Sequence, residues 1–160
     1  MSTAVFTLLH VILSLAGIGA GLIAILGLAG NKLLPGWTRI FLIATVLTSV
    51  TGFMFPFHGV TPGIVLGVLS TIVLLIAFIA LYAGRLTGAW RGTYVVTAAL
   101  ALYFNVFVLF AQLFAKVAAL KAIAPTQSSP AFGATQLVVM VFFVGLTVVS
   151  FRRFRGARSA

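Results

Sequence analysis

From residue 4 to residue 30 the chain carries no Lys, Arg, Asp or Glu. Four more apolar runs follow, at about 40–57, 64–84, 94–120 and 137–151, and among them only the fourth holds a cation, Lys116, near its end. A bilayer core about 30 Å thick is crossed by roughly 20 apolar residues in a helix. The pattern therefore predicts an all-α polytopic transmembrane bundle of five spanning helices. All 160 residues form one transmembrane domain, ending in a basic tail over 152–160. Breakers separate the runs: Asn31 with Pro35 and Gly36, Gly59 with Pro62 and Gly63, Gly88, and Pro125 with Pro130. Such Pro and Gly clusters mark turns. The second and fifth runs are the shortest. The longest connection, about 121–136, is too short for a soluble domain. The first run lacks a basic leader, so it reads as a retained helix and not as a cleaved signal peptide. No internal repeat stands out.

Composition agrees. Apolar residues make up 62 % and charged residues 6 %, against about a quarter charged in soluble domains. The chain has no Asp, Glu or Cys, and its formal charge is +10. These absences remove whole chemistries. Paired-carboxylate glycoside hydrolysis and a Ser-His-Asp triad cannot be built. Hard cations find no carboxylate ligands. Proton or Na⁺ relays through intramembrane acids are excluded, as are disulfides, thiolate nucleophiles and Cys-ligated metals. No catalytic residue is expected, and the chain reads as a non-enzyme.

The cations set the sidedness. Five spans place Lys32, Arg39, Arg85, Arg91, Arg152, Arg153, Arg155 and Arg158 on one face, and Lys116 and Lys121 on the other. Cytoplasmic loops are the ones enriched in Lys and Arg, so the amino terminus is expected outside and the carboxyl terminus in the cytoplasm. Trp37, Trp90, Tyr82 and Tyr94 fall at the Arg-rich boundary, where aromatic belts sit. The run Arg152, Arg153, Arg155, Arg158 reads as a stop-transfer anchor on anionic lipid headgroups. No nucleic-acid partner is expected.

Polar residues inside the spans point to helix contacts. His10, Ser14, Gly17 and Gly21 share one face of the first helix, and Gly17 to Gly21 is a GxxxG spacing. It reads first as a seam between helices of the same chain and second as a homodimer contact. Thr45, Thr48, Ser49 and Gly52 line one face of the second helix, which Pro56 should bend or end near Gly52. Asn105, Gln112 and Lys116 form a stripe on the fourth helix. Asn105 lies roughly 16 Å from Tyr94 along the axis, near the midplane. Its amide should turn to other helices, with the Thr45–Thr48–Ser49 row as partner. His10 and His58 fall on the same side and are candidate cofactor ligands, with Lys116 and Lys121 for propionates. Their difference in depth, about 9 Å, argues against a shared haem. No haem and no metal site is expected.

Residues 48–57, the stretch 98–110 with its Leu102-Tyr103-Phe104-Asn105-Val106-Phe107-Val108 core, and residues 124–130 resemble a family of uncharacterised small bacterial inner-membrane proteins. The resemblance implies a multi-pass protein of the bacterial plasma membrane and supplies no activity. Members carry some acids in their outer loops; this chain has none, so no ionic role is expected of them. Three functions stay open. The first is a small non-enzymatic membrane subunit, part of a larger assembly or a homo-oligomer. The second is a carrier or pore for a small neutral or anionic solute, using Asn105, Gln112 and Lys116. The third is a haem-binding electron-transfer subunit using His10 and His58. A dry, tightly packed bundle would favour the first, and a water-accessible cavity beside Asn105 the second.

Overall fold

The structure is a computed structural model, described here for residues 3–56 and 62–155. His58 and Arg158 lie outside the described residues. Among the described residues six helices follow in order: α1 (Thr3–Ala29), α2 (Pro35–Phe53), α3 (Pro62–Phe78), α4 (Ala89–Lys116), α5 (Ala118–Ile123) and α6 (Pro130–Arg153). The end of α3 widens into a π-helical turn over Ile79–Ala83. Five segments are long and apolar enough to cross a bilayer: Ala4–Ala29, Pro35–Phe53, Gly63–Ala83, Ala89–Lys116 and Pro130–Arg153. The protein is an all-α bundle of multi-pass membrane type.

Several boundaries differ from the apolar runs, for identifiable reasons. The second and fifth spans, α2 and α6, start at Pro35 and Pro130, not at 40 and 137. A proline in the first turn has no N–H to leave unsatisfied, so it opens these helices. The fifth span, expected to be among the shortest, thereby reaches 24 residues. The second ends at Phe53, short of 57; past it, the Met54 and Phe55 amides donate to Thr51 and Gly52 carbonyls in a turn. That places the helix end within one residue of Gly52, as Pro56 requires. The fourth helix starts at Ala89 and stops at Lys116, where Val117 turns extended before the short α5. The earlier start carries Tyr94 into the second turn of α4. Its side chain is fully buried among the helices. Tyr82, Trp37 and Trp90 are exposed.

The helix ends on the Arg-rich face are closed by specific backbone devices. Asn31 has a left-handed φ of 58°. The Lys32 amide donates to the Gly27 carbonyl at 2.8 Å and the Asn31 amide to Leu28 at 2.9 Å. This is a Schellman arrangement that satisfies the last carbonyls of α1. Gly84 admits the Trp90 ring; a Cβ there would stand 2.3 Å from the ring carbon Cγ.

Helices α1 to α4 form a ring in which each touches the next and α4 returns to α1. Helix α6 lies outside the ring, against α4 and α1. Helix α4 is the most buried span. On the Arg-rich half, Ile25, Leu28, Phe41, Leu42, Tyr94 and Leu102 fill the ring and have almost no exposed surface. The GxxxG face packs inside the chain: a Cβ on Gly17 would meet Thr45 and Ala44 of α2, and one on Gly21 would meet Phe41 of α2 and Leu102 of α4. Small residues allow this approach of backbones. The intrachain seam is the arrangement present. The opposite sides of α3 and α6 carry Val68, Ile72, Leu75, Val138, Val141 and Val144, all exposed and apolar, as a lipid-facing surface requires.

Candidate ligand cavity

The other half of the ring is not filled. Between α1, α2, α3 and α4 lies a cavity of about 840 Å³ that reaches the bundle end at Pro56, Gly63 and Val117. The helices run antiparallel, so this is the end opposite the arginines. Its volume lies within the range of small-molecule sites, about 300–1,000 Å³. Val11, Leu15, Leu66, Val108, Leu109 and Leu113 contribute apolar wall.

The polar lining lies at different depths. Nearest the end stands Lys116, the last residue of α4, with an exposed side chain. Gln112, one turn deeper, is also exposed on the cavity. Asn105 lies near the inner end of the cavity and is buried at 9 % exposure. Its Nδ2 donates to the Thr45 hydroxyl on α2 at 3.3 Å. The structure thus brings Asn105, Gln112 and Lys116 together along one wall. Asn105 is tied to the second helix through one member of the threonine–serine row, while its two companions face open space.

His10 lines the same cavity from α1. Its Nδ1 lies 2.8 Å from the Thr51 hydroxyl, and Phe55 meets its ring edge-on, with centroids 5.2 Å apart. Thr51 has one proton, and its Oγ1 stands 2.7 Å from the Leu47 carbonyl of its own helix. The hydroxyl therefore donates to that carbonyl and accepts from His10 Nδ1–H. This fixes the tautomer and leaves Nε2 with its lone pair. Among the described residues no group of three or more metal-ligating side chains converges. The pairing of His10 with His58 involves a position outside the described residues.

The threonines and serines of the spans behave differently. Thr48, Thr71, Thr97, Thr135 and Thr147 each donate to the carbonyl four residues back, the usual way a helix hides a hydroxyl from lipid. Ser70 of α3 does not. It is buried at 4 % exposure, lines the cavity, and its Oγ has no hydrogen-bond partner among the described residues. Ser14 and Ser49 line the same region. Sequence reasoning singled out Tyr82 in the third span but missed its cavity-lining residues Gly67 and Ser70. The signal was present: Gly63, Gly67 and Ser70 repeat the i, i+4, i+7 spacing that marked the first helix, and all three line the cavity.

Two contacts on the Arg-rich face were also missed. The Arg91 guanidinium donates from Nη1 to the Phe151 carbonyl at 3.0 Å and to the Phe154 carbonyl, capping the end of α6. The Arg155 amide donates to Asn31 Oδ1 at 2.9 Å, and the preceding residue, Phe154, is buried. Arg152, Arg153 and Arg155 have exposed side chains, free to meet headgroups. Comparison with models of protein families, with curated protein sequences and with solved structures gives no match.

Proposed function

We propose that this protein is a non-enzymatic membrane protein that binds a small neutral or anionic solute in the α1–α4 cavity. The observation that carries the reading is the unfilled half of the ring beside Asn105, with Gln112 and Lys116 exposed on its wall. A bundle whose polar stripe served only helix contact would bury all three, as it buries Asn105 against Thr45. Selectivity follows from charge. No side chain in the sequence carries a carboxylate, so a cation finds no side-chain counterion and the formal charge on the wall, Lys116, favours anions or neutral molecules. The arrangement suits a one-sided binding site better than a pore, since apolar side chains pack the Arg-rich half of the ring. It remains compatible with a carrier that opens the other half in a second conformation. We place the cavity mouth outside and the arginine face in the cytoplasm of a bacterial plasma membrane, where Arg152, Arg153 and Arg155 contact anionic headgroups.

The absence of Cys gives labelling without background. In intact cells an impermeant thiol reagent should modify Gln112→Cys and spare Val141→Cys on the lipid face of α6. Equal, negligible reaction at both positions, before and after permeabilisation, would refute a solvated cavity. Reaction of Gln112→Cys only after permeabilisation would keep the cavity and reverse the sidedness.

A further inference from the structure

The polarity of the cavity wall is graded from its mouth inward. At the mouth, Lys116 and Gln112 have exposed side chains. Four residues apart on one helix, they stand about 6 Å from each other. Among the described lining residues Lys116 carries the sole fixed charge. Farther in, polar side chains are present but withheld from an occupant. Asn105 is buried and bonded to Thr45. Thr48 is buried and gives its proton to the Ala44 carbonyl. Ser70 is buried, and its hydroxyl oxygen has almost no accessible surface. Ser14 and Ser49 are half-buried, and a helical serine can bond back one turn.

An occupant therefore meets mostly carbon below the mouth. Val11, Leu15, Leu66, Phe104, Val108 and Leu109 form the walls. From Lys116 to Asn105 the cavity follows α4 for about 16 Å at the helical rise. A compact anion held at Lys116 would leave these walls facing water, which is unfavourable for apolar surface. A wholly apolar molecule would cover the walls and leave the ammonium without a partner. A molecule with an anionic head and an apolar tail satisfies both ends. Lys116 is also the last residue of a spanning helix. A lysine there reaches the interface, at the depth where a lipid places its head.

We propose that the α1–α4 cavity binds a single-chain anionic amphiphile, with its acidic head at Lys116 and its alkyl tail between the apolar walls. This rests on the reading of the cavity as a solute site and names the anionic, amphiphilic class within it. A free fatty acid and a monoacyl phospholipid share this chemistry.

The test uses Gln112→Cys protein in phosphatidylcholine nanodiscs, with Ser128→Cys in the exposed α5–α6 connection as the control. A tail that starts at Lys116 and runs inward passes Gln112. Modification by an uncharged maleimide is timed with added dodecanoate, lysophosphatidylglycerol, 1-dodecanol or butyrate. Dodecanoate, lysophosphatidylglycerol or both should slow reaction at Gln112→Cys several-fold and leave Ser128→Cys unchanged. The one that acts at the lower concentration distinguishes a free acid from a membrane phospholipid. Adding Lys116→Gln should raise the concentration for half-protection about tenfold, the scale of one lost charge-assisted hydrogen bond. Lys116→Arg should leave it unchanged. The Lys116 side chain is exposed and makes no hydrogen bond among the described residues, so both variants should fold. Equal protection by 1-dodecanol, or protection that survives Lys116→Gln, would overturn the proposal by removing the anionic head. Butyrate as effective as dodecanoate would overturn it by removing the tail. Reaction at Gln112→Cys that no additive slows would overturn it and leave the solvated cavity standing. An unreactive Gln112→Cys would overturn the cavity reading itself.

Discussion

Replacing Gly21 with Ala tests the seam that holds the ring closed. The added Cβ would fall 2.7 Å from Leu102 Cδ1 and 2.7 Å from Phe41 Cδ2. Neither side chain can step aside into lipid, because both are fully buried. Inserting a methylene into such a site costs about 1–3 kcal/mol. Alanine's better helix propensity offsets up to about 1 kcal/mol, so a net loss of about 1–2 kcal/mol is expected. Gly19, two residues away, provides the control: a Cβ there meets nothing within 4 Å. Gly19→Ala should be neutral or stabilise by up to about 1 kcal/mol. The two variants should then differ by about 2 kcal/mol, roughly 30-fold in the unfolding equilibrium. Unfolding by a denaturing detergent in mixed micelles, followed by Trp37 and Trp90 fluorescence, reads this difference. Equal stabilities for the two variants would refute the packing argument. A Gly21→Ala loss that depends on protein concentration would instead place the glycine against a second copy.

Asn105→Leu should cost about 0.6 kcal/mol, and no more than about 1.7, for the hydrogen bond to Thr45. A double-mutant cycle with Thr45→Val should show coupling of that size, and zero coupling would mean that the bond is not formed in the membrane. Arg91→Ala should free the end of α6 at a cost of about 1 kcal/mol, the scale of a cation at a helix C-terminus. Trypsin should then cut faster after Arg152 and Arg153, and an unchanged rate would mean that Arg91 does not hold the end of α6. Purified protein should show no Soret band, since helical spacing sets His10 and His58 about 9 Å apart in depth. A haem spectrum abolished by His10→Ala would reverse that expectation and favour electron transfer.

The sequence alone determined the class of solvent, the helix count across it and the face on which the arginines gather. These follow from counts that no tertiary contact alters: runs of about 20 apolar residues must lie in lipid, and acids that are absent cannot act. It also identified the faces that matter on α1, α2 and α4, because small and polar residues recur there at helical spacing among residues that lipid would otherwise accept. Helix starts were less legible, since a proline both ends one helix and opens the next, and Pro35 and Pro130 do the second. Only the tertiary structure decided that the polar stripe borders a cavity. Spacing shows which residues share a face, whereas a cavity depends on how far apart four helices stand. Gly17 and Gly21 draw α1 onto α2 and α4 in one half of the ring, and in the other half the side chains present do not fill the space between them. The unpartnered hydroxyl of Ser70 was hidden for the same reason. A serine in an apolar helix is unremarkable until its neighbours reveal that its hydroxyl, unlike those of the threonines, is left without a partner.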